Sequence, residues 1–401
     1  MMRRHPRHVE DGAGLRRLRT RAALGLGLAV AVAFAAAGCS SSTSAPSASS
    51  TQSAMSAANE AAMQNPNLDL GTSLYGEHAP DIKLVNQFGQ PMSLSQFRGR
   101  VVILAFSDSE CTTVCPLTTQ SMVLAKDLLG KAGESVQLLG VDANPDATKV
   151  SDVMAYSRAH DMVNQWDFLT GSTAQLKAVW KAYNIEVQIE AGNIDHTPAL
   201  YVINSRGVLE KLYLTTMAYS SVTQSAQVLA TEVSTLLPSH PKLSSIESLA
   251  TIAPQGPTAA VSLDSALPAA DGKAATVTLG PGKARLVVFF ATWLTETSNL
   301  SAEMTWLNNY VRVAARSHLP ALTAVDETVT EPSAAAVTSY LRGLGPLQYP
   351  IGLDKTGRVA DGYGVQDQPW LVLVNAAGKI TWQHDGWVSM AALVKAAKAD
   401  S

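Results

Sequence analysis

Three observations predict an α/β protein of two consecutive units, each a central mixed sheet flanked by helices. Strand-like and helix-like patterns alternate from about Ala79 to Leu237, and the same plan returns from about Leu286. The stretch Trp370 to Ile380 then parallels Leu200 to Val208, each an apolar strand followed by a glycine turn. Ahead of both units lies an N-terminus with a different composition, which reads as a signal peptide and a flexible tether.

Seven arginines fall within residues 1 to 21 against Glu10 and Asp11, and an uncharged Ala/Leu/Val/Gly run follows from Ala22 to Gly38. A basic segment before such a run is an export signal, expected over residues 1–38. The ending Ala36-Ala37-Gly38-Cys39 resembles the lipobox of bacterial lipoproteins, with Ala36 where Leu is usual. That resemblance implies lipidation at Cys39 and a lipid anchor on the extracytoplasmic face of the cell membrane. Residues 39–68 are rich in Ser, Ala, Thr and Gln, as a tether would be. Loss of residues 1–38 removes seven arginines and two acids, so the formal charge moves from −3 to −8. An acidic mature chain argues against nucleic acid or anionic headgroups as partners. At 46% hydrophobic residues the chain is not a disordered one.

The first unit is expected over residues 69–237. Val101 to Phe106 is short, apolar and β-branched, as a buried parallel strand is. A helix is predicted from Leu117 to about Gly130, a strand from Val136 to Val141 and a helix from about Lys149 to His160. Trp166 to Gly171 reads as a turn before a helix at Ala174 to Tyr183. Strands at Ala199 to Ile203 and Val208 to Leu214 flank the turn Asn204-Ser205-Arg206-Gly207, and a helix covers Val222 to Leu237. This order is that of the thioredoxin-type sandwich. A linker is expected over residues 238–258.

Cys111 and Cys115 are the only cysteines besides Cys39. They lie between the predicted strand and the helix after Pro116, where open α/β sheets bind ligands and a helix N-terminus favours thiolate. His196 falls just before the strand at Ala199 to Ile203, which in a sheet of this type lies beside the site strand.

Cys111-Thr112-Thr113-Val114-Cys115-Pro116 with Asp195-His196 before a Tyr-containing strand resembles the Sco/SenC copper proteins, as do Ala79-Pro80-Asp81 and Phe168-Leu169-Thr170-Gly171. The resemblance covers about Ala79 to Leu214. It implies a metallochaperone that assists copper-site assembly in cytochrome c oxidase, with Cys111, Cys115 and His196 as copper ligands and an oxidase subunit as acceptor. Thr112 and Thr113 stand where that family commonly has Pro and Asp, and Ala143 stands in place of a proline. Soft thiolates suit Cu(I), and an imidazole completes a site that also tolerates Cu(II). A structural disulfide, a zinc site and a redox-active dithiol of thiol-disulfide oxidoreductase type are the competing readings of the same residues. The three-residue spacer differs from the two-residue spacer of ordinary thioredoxins.

The second unit is expected over residues 259–401. Strands are predicted at Leu286 to Phe290 and Ala321 to Val325, and helices at Ser298 to Ala315 and Pro332 to Leu341. Phe290-Ala291-Thr292-Trp293-Leu294-Thr295-Glu296-Thr297 resembles the redox motif of TlpA/ResA-like thioredoxins, with Leu294 and Thr297 in place of both cysteines. That implies a thioredoxin-like unit without disulfide chemistry, retained for docking or for shielding the first site. Pro198 and Pro369 are both expected to be cis.

Overall fold

The computed structural model describes residues 68–399 apart from Tyr75, residues 191–192, 244–264 and 271–275, and Thr297. The signal peptide, Cys39 and nearly all of the tether lie outside the described residues, as does most of the expected linker. The chain divides into a short unit, Met1–Ser47, and a second one, Ala48–Ser401, which holds everything described below.

The first sheet is built on β1 (Val101–Ser107), all seven residues of which are buried. It is followed by α1 (Val114–Leu128), β2 (Val136–Asp142), α2 (Val150–Ala159), β3 (Trp166–Leu169) and α3 (Thr173–Ala182). Next come β4 (Ala199–Ile203), β5 (Leu209–Leu214) and α4 (Val222–Leu236). The sheet order is a short edge strand at Thr72–Ser73, then β5, β4, β1, β2 and β3. β1 runs parallel to β2 and antiparallel to β4. Apolar side chains from alternate positions of β1 feed separate cores on its two faces, Ile103 with Met122 on one and Leu104 with Trp180 on the other. A strand buried on both faces has to read as an unbroken apolar run, and this one does.

Three sequence expectations are corrected here. Trp166–Leu169 is a strand paired with β2 rather than a turn. It fits there because Gly140 of β2 leaves room: a Cβ at that position would lie 2.8 Å from the Phe168 ring. α1 begins at Val114, so Cys115 and Pro116 are inside its first turn, where a missing proline N–H costs no helical bond. The Thr197–Pro198 bond is trans, whereas Gln368–Pro369 is cis. The chain enters Pro198 from an extended hairpin strand held by the Thr197 N–H on the Glu186 carbonyl (3.0 Å).

The second sheet comprises β6 (Arg285–Phe290), β7 (Ala321–Asp326), β8 (Ile351–Leu353), β9 (Trp370–Val374) and β10 (Ile380–Asp385). Its order is β8, β7, β6, β9, β10, with β6 parallel to β7 and antiparallel to β9. This repeats the pairing scheme of the first sheet. Helices α5 (Leu300–Ser317), α6 (Ala334–Gly343) and α7 (Met390–Ala399) flank it.

The two halves share one core. Leu117, Tyr219 and Val222 from the first half are buried in a cluster with Phe289, Val359 and Tyr363 of the second. Beside this cluster the buried Asp361 carboxylate accepts the N–H groups of Tyr219 (2.8 Å) and Ser220 (3.0 Å). Gly357 has φ +70°, and a Cβ there would stand 2.4 Å from the Tyr219 carbonyl carbon. Only glycine permits that backbone approach. Asp361→Ala, which takes the acceptor from the Tyr219 and Ser220 N–H groups and from the Ser220 hydroxyl, is expected to lower stability by about 2–4 kcal/mol. Denaturant unfolding of the full chain measures it, and an unchanged midpoint would remove Asp361 from the contacts that hold the halves together.

Candidate metal and dithiol site

The dithiol sits where β1 hands over to α1. Its approach loop is pinned from below: the Asp108 carboxylate accepts the Glu110 N–H (2.8 Å) and the Asn144 side-chain amide (2.7 Å). The Asp108 carbonyl also accepts the Cys111 N–H (3.2 Å). Asn144 belongs to the segment after β2, so the parallel pairing of β1 and β2 brings pin and loop together.

Cys111 and Cys115 are both free thiols, the first partly exposed and the second buried. The Cys115 N–H donates to Cys111 Sγ (3.4 Å), and the Thr113 hydroxyl lies 3.4 Å from the same sulfur. These contacts divide the pair chemically. A hydrogen bond from the Cys115 thiol, above all, lowers the Cys111 pKa, with the Thr113 hydroxyl adding to it. Burial, and then the neighbouring Cys111, push Cys115 well above the usual thiol range. Of the pair, Cys111 is therefore the more acidic thiol and the one that ionises first.

His196 arrives from the other side of the sheet. It ends a hairpin, Val187–Glu190 with Asn193–His196, that precedes β4, and β4 pairs with β1. Its Nε2 lies 3.7 Å from Cys115 Sγ, while Nδ1 lies 3.1 Å from the Thr197 carbonyl. A carbonyl can only accept, so Nδ1 carries the proton and the Nε2 lone pair faces the sulfur. Burial lowers the His196 pKa and keeps the ring neutral. Cys115 thus stands between the other two side chains. Among the described residues no group of three or more His, Cys, Asp or Glu is already arranged to hold a metal ion.

Beside Cys111 opens a cavity of about 390 Å³, lined by Glu110, Asp152, Tyr156 and His160 of the first half and by Trp293 of the second. The His160 ring packs between Tyr156 (4.3 Å) and Trp293 (5.0 Å). Burial holds that histidine down at about 3, so it is a neutral wall of the cavity. Trp293 belongs to the stretch Phe290 to Thr297, whose last residue lies outside the described residues. Thr112, inside the dithiol spacer, donates to the Asp367 carboxylate of the second half (2.6 Å).

Sequence reasoning placed Cys111, Cys115 and His196 at one end of the sheet, and the structure brings them together through Cys115. It missed Asn144, His160, Trp293 and Asp367 as neighbours of the site. Asn144 directly follows Ala143, already noted as a departure, and Trp293 lies within a stretch likened to a thioredoxin motif. Nothing in the order of residues signalled Asp367.

The SCO1/SenC family pattern matches residues 73–231. The chain is 24% identical over 155 residues to the mitochondrial SCO2 homolog of Bos taurus, covering 37% of this chain and 58% of that protein. It is 25% identical over 133 residues to the SCO1 protein homolog of Bacillus subtilis, covering 32% and 69%. The chain therefore spans little more than half the length of the bovine protein. Among solved structures, Bradyrhizobium japonicum ScoI with copper bound aligns with a TM-score of 0.35 and 16% identity, over 40% of this chain and 99% of that one. By the family match, residues 73–231 are a thioredoxin-like domain of the SCO1/SenC family.

Proposed function

We propose that the first half is a Sco-type carrier that takes copper as cargo on Cys111, Cys115 and His196 and passes it to a copper-accepting subunit of a respiratory oxidase. The observation that carries this reading is the Nε2 lone pair of a neutral, tautomer-fixed His196 facing the Cys115 sulfur at 3.7 Å. An imidazole whose other nitrogen is tied to a carbonyl is pre-set as a ligand. Two thiolates with it make a soft, three-coordinate set that suits Cu(I), with Cu(II) held through an added weak ligand. Loading displaces the Cys115 proton, and handover proceeds by ligand exchange, an acceptor donor replacing each thiolate in turn. Zinc competes for the same three ligands, and a Cu(I)-over-Zn(II) competition distinguishes them.

In this reading the Cys39 anchor and its tether hold the carrier on the extracytoplasmic face of the membrane. The second half is a thioredoxin-type domain whose redox motif has lost its cysteines. Thiol-disulfide exchange is the second reading, favoured by the division of the pair into one partly exposed, more acidic thiol and one buried, less acidic thiol.

Two measurements separate these readings. His196→Ala is expected to weaken Cu(I) binding by more than about a hundredfold, the upper end of what loss of a mere supporting residue costs, while leaving exchange with a small disulfide intact. A competition titration of the reduced protein against a Cu(I) chelator reads it, and unchanged affinity would leave only the dithiol reading. Alkylation of the metal-free protein at neutral pH is expected to label Cys111 at least about tenfold faster than Cys115, because the thiolate is the nucleophile. Equal rates, read by peptide mass, would contradict the assigned division.

A further inference from the structure

We propose that Asp367, on the second half of the chain, is a positioning residue for the Cys111/Cys115 pair, acting through Thr112 to hold the pair in its open dithiol form. The inference rests on the reading of these two cysteines as the working thiols. Thr112 is the first residue of the three-residue spacer, and its hydroxyl donates to Asp367 Oδ1 at 2.6 Å across 255 positions of sequence. The same Oδ1 accepts the Gln368 N–H at 2.6 Å, which fixes the carboxylate on its own loop. That loop is anchored by the buried Gln368 and Pro369, next to strand β9. The second half touches the site at a second point, where Trp293 packs on His160 at the cavity beside Cys111.

Closing the disulfide requires the sulfurs to come from hydrogen-bonding range to about 2.05 Å. Cys115 is buried within the first turn of α1, so the movement falls on Cys111 and the spacer that follows it. That movement draws Thr112 away from Asp367. A charge-assisted bond made in the dithiol and lost in the disulfide favours the dithiol. The exchange step is balanced by a small-molecule disulfide. The Cys111 thiolate attacks one of its sulfurs and expels one thiol, and the Cys115 thiolate, its proton released to solvent, attacks Cys111 Sγ and expels the second. The protein pair is oxidised by two electrons and the reagent disulfide is reduced to two thiols.

The test equilibrates the metal-free full chain with a small-molecule dithiol/disulfide couple at fixed pH and reads the oxidised fraction by alkylation and mass. Thr112→Val and Asp367→Ala are each expected to shift the equilibrium toward the disulfide by about tenfold, the scale of a hydrogen bond to a charged group. That corresponds to a potential about 30 mV more negative. The double variant is expected to shift no further than either single one, because both remove the same bond. Asp367→Asn, which keeps an accepting oxygen but loses the charge, is expected to shift the equilibrium by only about threefold, between the parent and the Ala variant. The proposal is overturned if Asp367→Ala lowers the melting temperature without moving the equilibrium, if the two single shifts add, or if the Asn variant behaves as the Ala variant does. No copper is present in the measurement, so a failure here is distinct from a failure of the carrier reading.

Discussion

The site depends on one burial: Cys115, 1% exposed at the start of α1, holds its sulfur between Cys111 and His196. Desolvation favours the protonated form of that thiol, the hydrogen bond it offers makes Cys111 the more acidic of the two, and its far side meets the lone pair of a neutral imidazole. Each of the other features follows from placing that atom. β1 must be buried on both faces to carry it inward, and α1 must begin early enough to enclose it. The hairpin before β4 must be long enough to bring His196 over the sheet edge.

The two halves contribute unequally to this arrangement. The first supplies every soft donor. The second supplies a tryptophan wall, a carboxylate on the spacer and a share of the core that encloses Leu117 of α1. The stretch after β6 serves as contact: Trp293 is 3% exposed and packed on His160, and Leu294 is 2% exposed. A pair of sheets with the same pairing scheme thus meets near the ends of their central strands. One of them keeps the thiols, and the other forms part of their surroundings.

How much of this could be read from the order of residues depended on how local its cause was. β1 was legible because double-sided burial leaves an unbroken apolar run, and the thiols were legible because cysteine is rare in this chain. The neighbourhood of His196 followed once the strand order was assumed. Trp166–Leu169 was misread because its strand character is set by a glycine on the neighbouring strand, not by its own flanking turn signals. The start of α1 was misplaced because Pro116 reads as a boundary although it sits comfortably in a first helical turn. Asp367 and His160 were invisible, since their meaning comes from the packing of one half on the other, which no periodicity records.

The ligand set itself is tested most directly by X-ray absorption at the copper edge on the reduced full chain loaded with one equivalent of Cu(I). The account predicts a first coordination shell of two sulfurs and one imidazole nitrogen, with the nitrogen lost on replacing His196. A shell of sulfur alone, or one unchanged by that replacement, would contradict it.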